Sequence, residues 1–365
     1  MKTKLIFLVT NDLSYDQRMN KICKALANHG YEVELVGRLR KNSIPIQNLA
    51  YKQTRLSLFF ERGKLFYLEI NLRFFLYLLF KRFDGVCAID LDTIVGASLA
   101  ATLKNKKLIY DAHEFFTEVP EVIRRPAVQK IWLWVEKTFV PRAILRYTVS
   151  QNLAALFEKK YGAKFHLIRN FPVLKPSENK TSPRHKRELI YQGALNEGRG
   201  LENLIEAMKN LNAHLTIAGD GDLTEKLKIQ TRMAGLEQKI SFLGFVKPDE
   251  LRDLTSTAHI GMNLLENKGL SYYYSLANKF TDYIHAGLPQ ICISFPEYKA
   301  INERYEVALL IESLSTEAIK SAIERLLNDD NLYADLQKNC EVCAVDLNWQ
   351  KEEKELLALY DGLFR

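Results

Sequence analysis

Short apolar bursts alternate with longer helical patterns along nearly the whole chain. In the first half the bursts fall at 4–9, 32–36, 85–89, 107–110, 147–149 and 165–168, the lengths expected of strands in a parallel sheet. The intervening stretches 17–29 and 92–104 read as helices, the first closed by Gly30 in the position of a left-handed cap. At 172–187 the alternation breaks into PVLKPSENKTSPRHKR, with three prolines, many charges and almost no apolar residue, which is linker chemistry. A second series follows, with strands predicted at 189–192, 215–218, 240–242, 260–264, 290–293 and 309–311 and helices at 201–211, 223–234, 248–256 and 278–285.

This pattern predicts an α/β protein of two doubly wound, Rossmann-like domains facing across a cleft, the first over 1–172 and the second over 187–345. The length of 365 residues agrees, because a single core stops growing near roughly 250 to 300 residues. In open sheets of this kind ligands gather outside the carboxyl ends of the strands, so the cleft is the expected active site.

The segment 58–83 departs from the rest, being rich in Phe and Tyr with interspersed Arg and Lys, and it admits two readings. One is a basic amphipathic surface helix making peripheral contact with a membrane. The other, favoured because the apolar run 74–80 is far too short to span, is a crossover helix with a wide buried face. Both hold together if Arg62, Lys64, Arg73, Lys81 and Arg82 line an exposed edge.

Composition narrows the class without naming a ligand. With 47% hydrophobic and 26% charged residues the chain is ordinary and globular, and its net charge of +7 suits phosphorylated ligands, nucleic acid or an anionic surface alike. Five scattered cysteines argue for a reducing compartment, and the lone Cys340–Cys343 pair reads as a thiol-bearing helix and not a metal site. The apolar run at 4–9 is shorter than a signal peptide needs and reads as a first buried strand, so a cytoplasmic protein is expected.

Chemistry concentrates in the second half. YQGALNEGRGLENLIEA, 191–207, is a strand, a glycine turn, a cation at Arg199 and a helix, which suits a leaving diphosphate; taken alone, Arg199 reads better as a solvated loop residue. AGDGDL, 218–223, places glycines where backbone approaches a ligand or turns tightly, and FLGFV, 242–246, runs a strand into a loop. In SYYYSLANKFTDYIHAGLP, 271–289, a loop enters a helix at Asn278, with Lys279 in its first turn for phosphate and Asp282 a turn on to accept ribose hydroxyls. Neither domain opens with a GxGxxG turn, which disfavours a nicotinamide oxidoreductase.

These four segments, in this order, resemble the donor domain of the family 4 glycosyltransferases, which have the GT-B architecture. The matches are Gly193 to Gly200, Gly219 to Gly221, Leu243 to Val246 and the region 274–290. The resemblance implies a nucleoside diphosphate sugar as co-substrate, held by Gly193, Arg199, Gly219, Phe245, Asn278, Lys279 and Asp282. It departs from the family at Tyr274, where the first glutamate of the E-x7-E segment is expected, and at Ala194, where many members carry a second arginine.

The first half resembles the same enzymes more loosely. Asp16 and Arg18 match a D-x-R variant of the first loop, Asp90 ends the third strand, and Glu114 lies in DAHEFF after the fourth; all four are expected on the acceptor side. His113, at the same strand end, is implied to contact the reacting sugar and joins Arg199 and Lys279 as a catalytic candidate. The last helix, within 346–365, resembles a crossover returning to the first domain.

The reading is metal-independent transfer of a sugar from a UDP- or GDP-linked donor to a hydroxyl on a sugar or lipid-linked glycan. Retention of configuration is implied, as is a place in cell-surface polysaccharide or glycoconjugate synthesis. The protein is expected in the cytoplasm, with a peripheral station at the inner face of the membrane through 58–83, and with no nucleic-acid partner. The alternatives are an epimerase or phosphorylase on the same fold, and a catalytically degenerate nucleotide-binding or scaffolding member, motivated by Tyr274 and Ala194.

Overall fold

The structure, a computed structural model, describes residues 2–46, 48–175 and 184–365, so the middle of the expected linker, 176–183, lies outside the described residues. The chain divides into two compact units, Met1–Asn170 with Glu352–Arg365, and Phe171–Lys351.

Each unit is built on one parallel sheet. The first contains β1 (Lys4–Leu8), β2 (Glu32–Arg38), β3 (Lys52–Leu56), β4 (Gly85–Ile89), β5 (Lys107–Ala112), β6 (Leu145–Thr148) and β7 (His166–Leu167), in the order β3-β2-β1-β4-β5-β6-β7. The second contains β8 (Glu188–Gln192), β9 (His214–Ala218), β10 (Ile240–Gly244), β11 (Ile260–Asn263), β12 (Gln290–Ile293) and β13 (Ala308–Ile311), in the order β10-β9-β8-β11-β12-β13. The strand order reverses between β1 and β4 and between β8 and β11, and a crevice opens at the carboxyl end of such a switch point.

The central strands β4 and β12 are buried at every residue, which is why they read as unbroken apolar runs. β3 was not predicted, because KQTRL is a partly exposed, mostly polar edge strand. Its pairing with β2 and its bonds to Glu34, from Lys52 at 3.0 Å and Thr54 at 2.5 Å, hold it in place of apolar burial. The helix expected at 201–211 runs only Leu201–Ala207 and then tightens into a 3₁₀ turn at Met208–Asn210. Gly30 has φ +105°, as its place after the helix Gln17–Asn28 suggested.

The helix Trp349–Phe364 ends the chain, and its later part packs on the first sheet. Tyr360 is fully buried, stacks on Phe7 at 6.2 Å between ring centroids, and its hydroxyl lies 3.2 Å from that of Tyr147. A Cβ on Gly85 would stand 2.4 Å from Cζ of Phe364, so a larger residue at the start of β4 would displace that ring. All five cysteines are buried, Cys340 and Cys343 on the helix Asp330–Asp346.

Candidate functional site

In the second unit the glycine turns after β8 and β9 are pressed together. A Cβ on Gly219 would lie 1.8 Å from the carbonyl oxygen of Gly193, and one on Gly221 would lie 2.4 Å from Oδ1 of Asn196. The turns are also bonded, Leu195 N–H donating to Asp220 O at 3.1 Å and Leu223 N–H to Leu195 O at 2.8 Å. The GDG glycines therefore serve loop-on-loop packing, which fixes the path of 193–200.

Two basic side chains meet beyond the carboxyl end of β8, Arg199 from that turn and Lys279 from the helix Asn278–His285. Arg199 sits between Gly198 (φ +83°) and Gly200 (φ +65°), with its guanidinium 4.8 Å from the centroid of the Tyr272 ring. Its Nε–H is buried with no hydrogen-bond partner among the described residues. The opposing loop is clamped to this turn by Lys268, which reaches Glu197 at 2.7 Å and Glu266 at 2.9 Å.

Lys279, in the first turn of the helix Asn278–His285, is only 8% exposed. Its ammonium rests 3.6 Å above the Tyr191 ring and 3.6 Å from where a Cβ on Gly193 would be. Among the described residues it has no carboxylate ion pair, although a buried lysine is ordinarily paired. Burial, and then the neighbouring Arg199, push its pKa well below the usual lysine value, with Cys292 opposing weakly. The arrangement is a guanidinium, a buried amine and a helix N-terminus held close, with no carboxylate paired to the amine among the described residues.

Asp282 lies on the next turn of that helix and accepts from Nε2 of Gln192 at 2.9 Å, while Gln192 Oε1 accepts from Thr255 Oγ1 at 2.8 Å. These bonds fix the carboxylate by the carboxyl end of β8, a central strand of the sheet. Gln192 and Thr255 were missed in the sequence; the signal available was a glutamine closing the otherwise apolar strand LIYQ. Gly244 bridges to Gly219, so Phe245, 60% exposed, stands on the loop bordering the same turns. Asn278 is exposed at the helix start, and Tyr274 caps the short helix Leu270–Tyr273 edge-on to Tyr273.

In the first unit a charged cluster occupies the carboxyl ends of β4 and β5. Arg18 is buried and grips Asp111 with two bonds, Nε at 3.1 Å and Nη2 at 2.8 Å, while Nη1 donates to Ile168 O at 2.8 Å. It is thus an internal brace and not a group presented to a ligand. Asp16 is the cap of the helix Gln17–Asn28, accepting from Met19 N–H at 2.9 Å and from Asn11 Nδ2 at 2.6 Å.

His113 donates Nε2–H to Asp111 at 3.0 Å, its backbone N–H donates to Asp90 at 2.7 Å, and its Nδ1 lies 3.6 Å from Asp90. Burial alone would depress the ring, but Asp111 and then Asp90 outweigh it and raise its pKa to about 9, so the imidazolium is the resting form. Asp90 itself holds φ +58° and is shifted upward by burial. Burial and Asp90 raise Asp92 to about 7, and burial, Asp90 and Asp92 raise Glu114 to about 8. Asp92 accepts from Thr10 Oγ1 at 2.7 Å. Asp90-Leu91-Asp92 carries two carboxylates at a spacing the metal-free expectation passed over; among the described residues no three His, Cys, Asp or Glu side chains are grouped to hold a metal.

Two parallel-sheet Rossmann-like units in succession are the fold of the GT-B class of protein. Two family models match the chain in succession, "Glycosyltransferase Family 4" over residues 17–171 and "Glycosyl transferases group 1" over 175–341. The chain belongs to the family 4-like glycosyltransferases of GT-B architecture. An uncharacterized glycosyltransferase of Methanocaldococcus jannaschii is 25% identical over 182 residues, covering 48% of this chain and 45% of that protein, so the match spans less than half of the relative's length. Among solved structures, sucrose-phosphate synthase of Thermosynechococcus elongatus is similar at TM-score 0.79 and 17% identity, over 100% of this chain and 99% of that one. Anabaena HepE in complex with UDP-glucose is similar at TM-score 0.77 and 14% identity, over 98% and 99% of the two chains. At these identities the likeness is one of fold.

Proposed function

We propose that the chain transfers a glycosyl group from a UDP- or GDP-linked sugar to a hydroxyl of a sugar or lipid-linked glycan. The bond between the anomeric carbon and the diphosphate oxygen breaks, the acceptor oxygen bonds that carbon with retention, the hydroxyl proton is released, and the nucleoside diphosphate departs. The observation that carries this reading is Lys279, a buried amine without an ion-pair partner among the described residues, beside an Arg199 whose Nε–H is also unpartnered. A diphosphate supplies the missing negative charge and acceptors, and protonated Lys279, Arg199 and the first N–H groups of the helix Asn278–His285 stabilise it as it leaves.

Asp282, held by Gln192, accepts the ribose hydroxyls, and Phe245 and Gly219 border the base. His113, as an imidazolium, donates a hydrogen bond to the sugar, with Asp90 and Glu114 on the acceptor side and Arg18 positioning Asp111 beneath it. Asp16 serves the helix cap. Charge neutralisation rests on protein cations, so the reading calls for no metal. That HepE was solved with UDP-glucose supports a uridine donor, and cytoplasmic glycoconjugate synthesis is the setting we favour.

The test is donor-dependent transfer assayed with Arg199→Ala. One charge stabilising a departing diphosphate contributes about 3 kcal/mol, so turnover falls roughly 100-fold or more. Unchanged turnover and donor affinity would remove Arg199 from the site, and donor binding without hydrolysis or transfer in the wild type would favour a degenerate binding protein.

A further inference from the structure

The helix Gly63–Leu79 is apolar on two sides, and the fold of the first unit uses only one. Phe66, Ile70, Phe74 and Leu78 are buried at a spacing of one turn. Leu65, Leu68, Leu72 and Leu76 form a second stripe that is exposed, Leu68 at 69%. A helix apolar all round is normally enclosed on all sides, so the open stripe lacks its partner.

The neighbouring helix Ile94–Leu103 extends the surface. Asn71 donates to Asp92 O at 2.7 Å and accepts from Gly96 N–H at 2.9 Å, while Lys104 Nζ donates to the carbonyls of Leu78 and Leu79 at 3.1 Å each. The two helices therefore run side by side in the same direction. Leu99 and Leu103, one turn apart, are exposed on the second, and Phe59 and Phe80 are exposed just outside the ends of the first, Phe80 at 87%. Contiguous apolar surface of this kind marks an interaction site.

Its borders are positive. Arg62 and Lys64 are exposed where the long helix begins and Arg82 where it ends. Two of the nearby carboxylates are engaged, Glu69 by the N–H groups of Phe59 and Phe60 and by Arg73 at 2.8 Å, and Asp84 by Lys4 N–H at 2.9 Å and Lys106 at 3.2 Å. Glu61 is the exposed exception.

We infer that this two-helix face seats the first unit on an anionic lipid bilayer, the leucines and Phe59 and Phe80 entering the headgroup boundary and the bordering cations meeting lipid phosphates. A second copy of the chain fits less well, because a twofold contact presses the same patch on itself and brings like-charged borders together. The bilayer meets both the apolar stripe and its charge. The helices lie along the surface, since among the described residues no helix is long and apolar enough to cross. The inference shares no residue with the donor site and stands apart from the transfer reaction.

The experiment is flotation of the full chain with vesicles of phosphatidylcholine, alone or doped with phosphatidylglycerol, at low and high salt, comparing wild type with Leu68→Ser/Leu72→Ser. Each exposed leucine is worth about tenfold in partitioning, so the double variant binds doped vesicles roughly 100-fold more weakly, at an unchanged melting temperature. Wild type prefers doped to undoped vesicles, roughly fivefold per bordering cation, and salt weakens the preference. Absence of flotation with doped vesicles, or flotation undiminished in the variant, overturns the inference. So does a lipid-free dimer that the variant abolishes, which would make the face an interface between copies.

Discussion

Replacing Lys279 by methionine separates two effects of opposite sign. Methionine keeps the length and apolar stem and removes an amine that is 8% exposed and without an ion pair among the described residues. Burying a polar group without a compensating hydrogen bond costs roughly 1–3 kcal/mol, so Lys279→Met is expected to stabilise the unliganded protein by about that amount. For a domain of this size each kcal/mol moves the melting temperature by about 2–4 °C, giving a rise of several degrees. Donor binding moves the other way, because about 3 kcal/mol of charge–diphosphate attraction is lost and affinity drops by about 100-fold. Differential scanning fluorimetry with and without UDP reads both at once: the variant melts higher than wild type alone, yet gains far less on adding nucleotide. A variant that melts lower and keeps its full nucleotide-dependent gain would show that the amine supports the fold and not a ligand.

The remaining predictions concern the histidine cluster and the glycine turns. Since His113 is raised from 6.5 to about 9 by Asp111 and Asp90, its pairing is fully stabilising below pH 6.5 and is lost as pH rises through 9; NMR titration of the imidazole is expected to show that late midpoint, and a value near 6.5 refutes the pairing. Gly219→Ala is expected to cost more than about 3 kcal/mol, or to prevent folding of the second unit, because its Cβ would fall 1.8 Å from the Gly193 carbonyl oxygen; a soluble variant with wild-type melting contradicts that packing.

Periodicity made the sheets legible because their central strands are enclosed on both faces, as at β4 and β12. It failed at β3, whose five residues are held by an edge ladder and Glu34, a long-range partner that no local pattern encodes. The glycine turns and the NKF helix could be named as candidates because backbone freedom and helix N-termini have local signatures. That Gln192 braces Asp282 from 90 positions away was not legible, nor that Arg18 reaches Asp111 across 93. Arg18 and Asp16 looked like ligand contacts in a one-dimensional reading, whereas tertiary contacts engage them as a buried brace and a helix cap.

Whether Lys279 and Arg199, which have no ion pair with a carboxylate among the described residues, receive a diphosphate is read by calorimetric titration of the full chain with UDP and GDP against UMP and GMP. At least one diphosphate is expected to bind, its monophosphate roughly tenfold or more weakly, and Lys279→Met is expected to collapse the difference. Equal affinity for mono- and diphosphate, or no binding of either series, would contradict it.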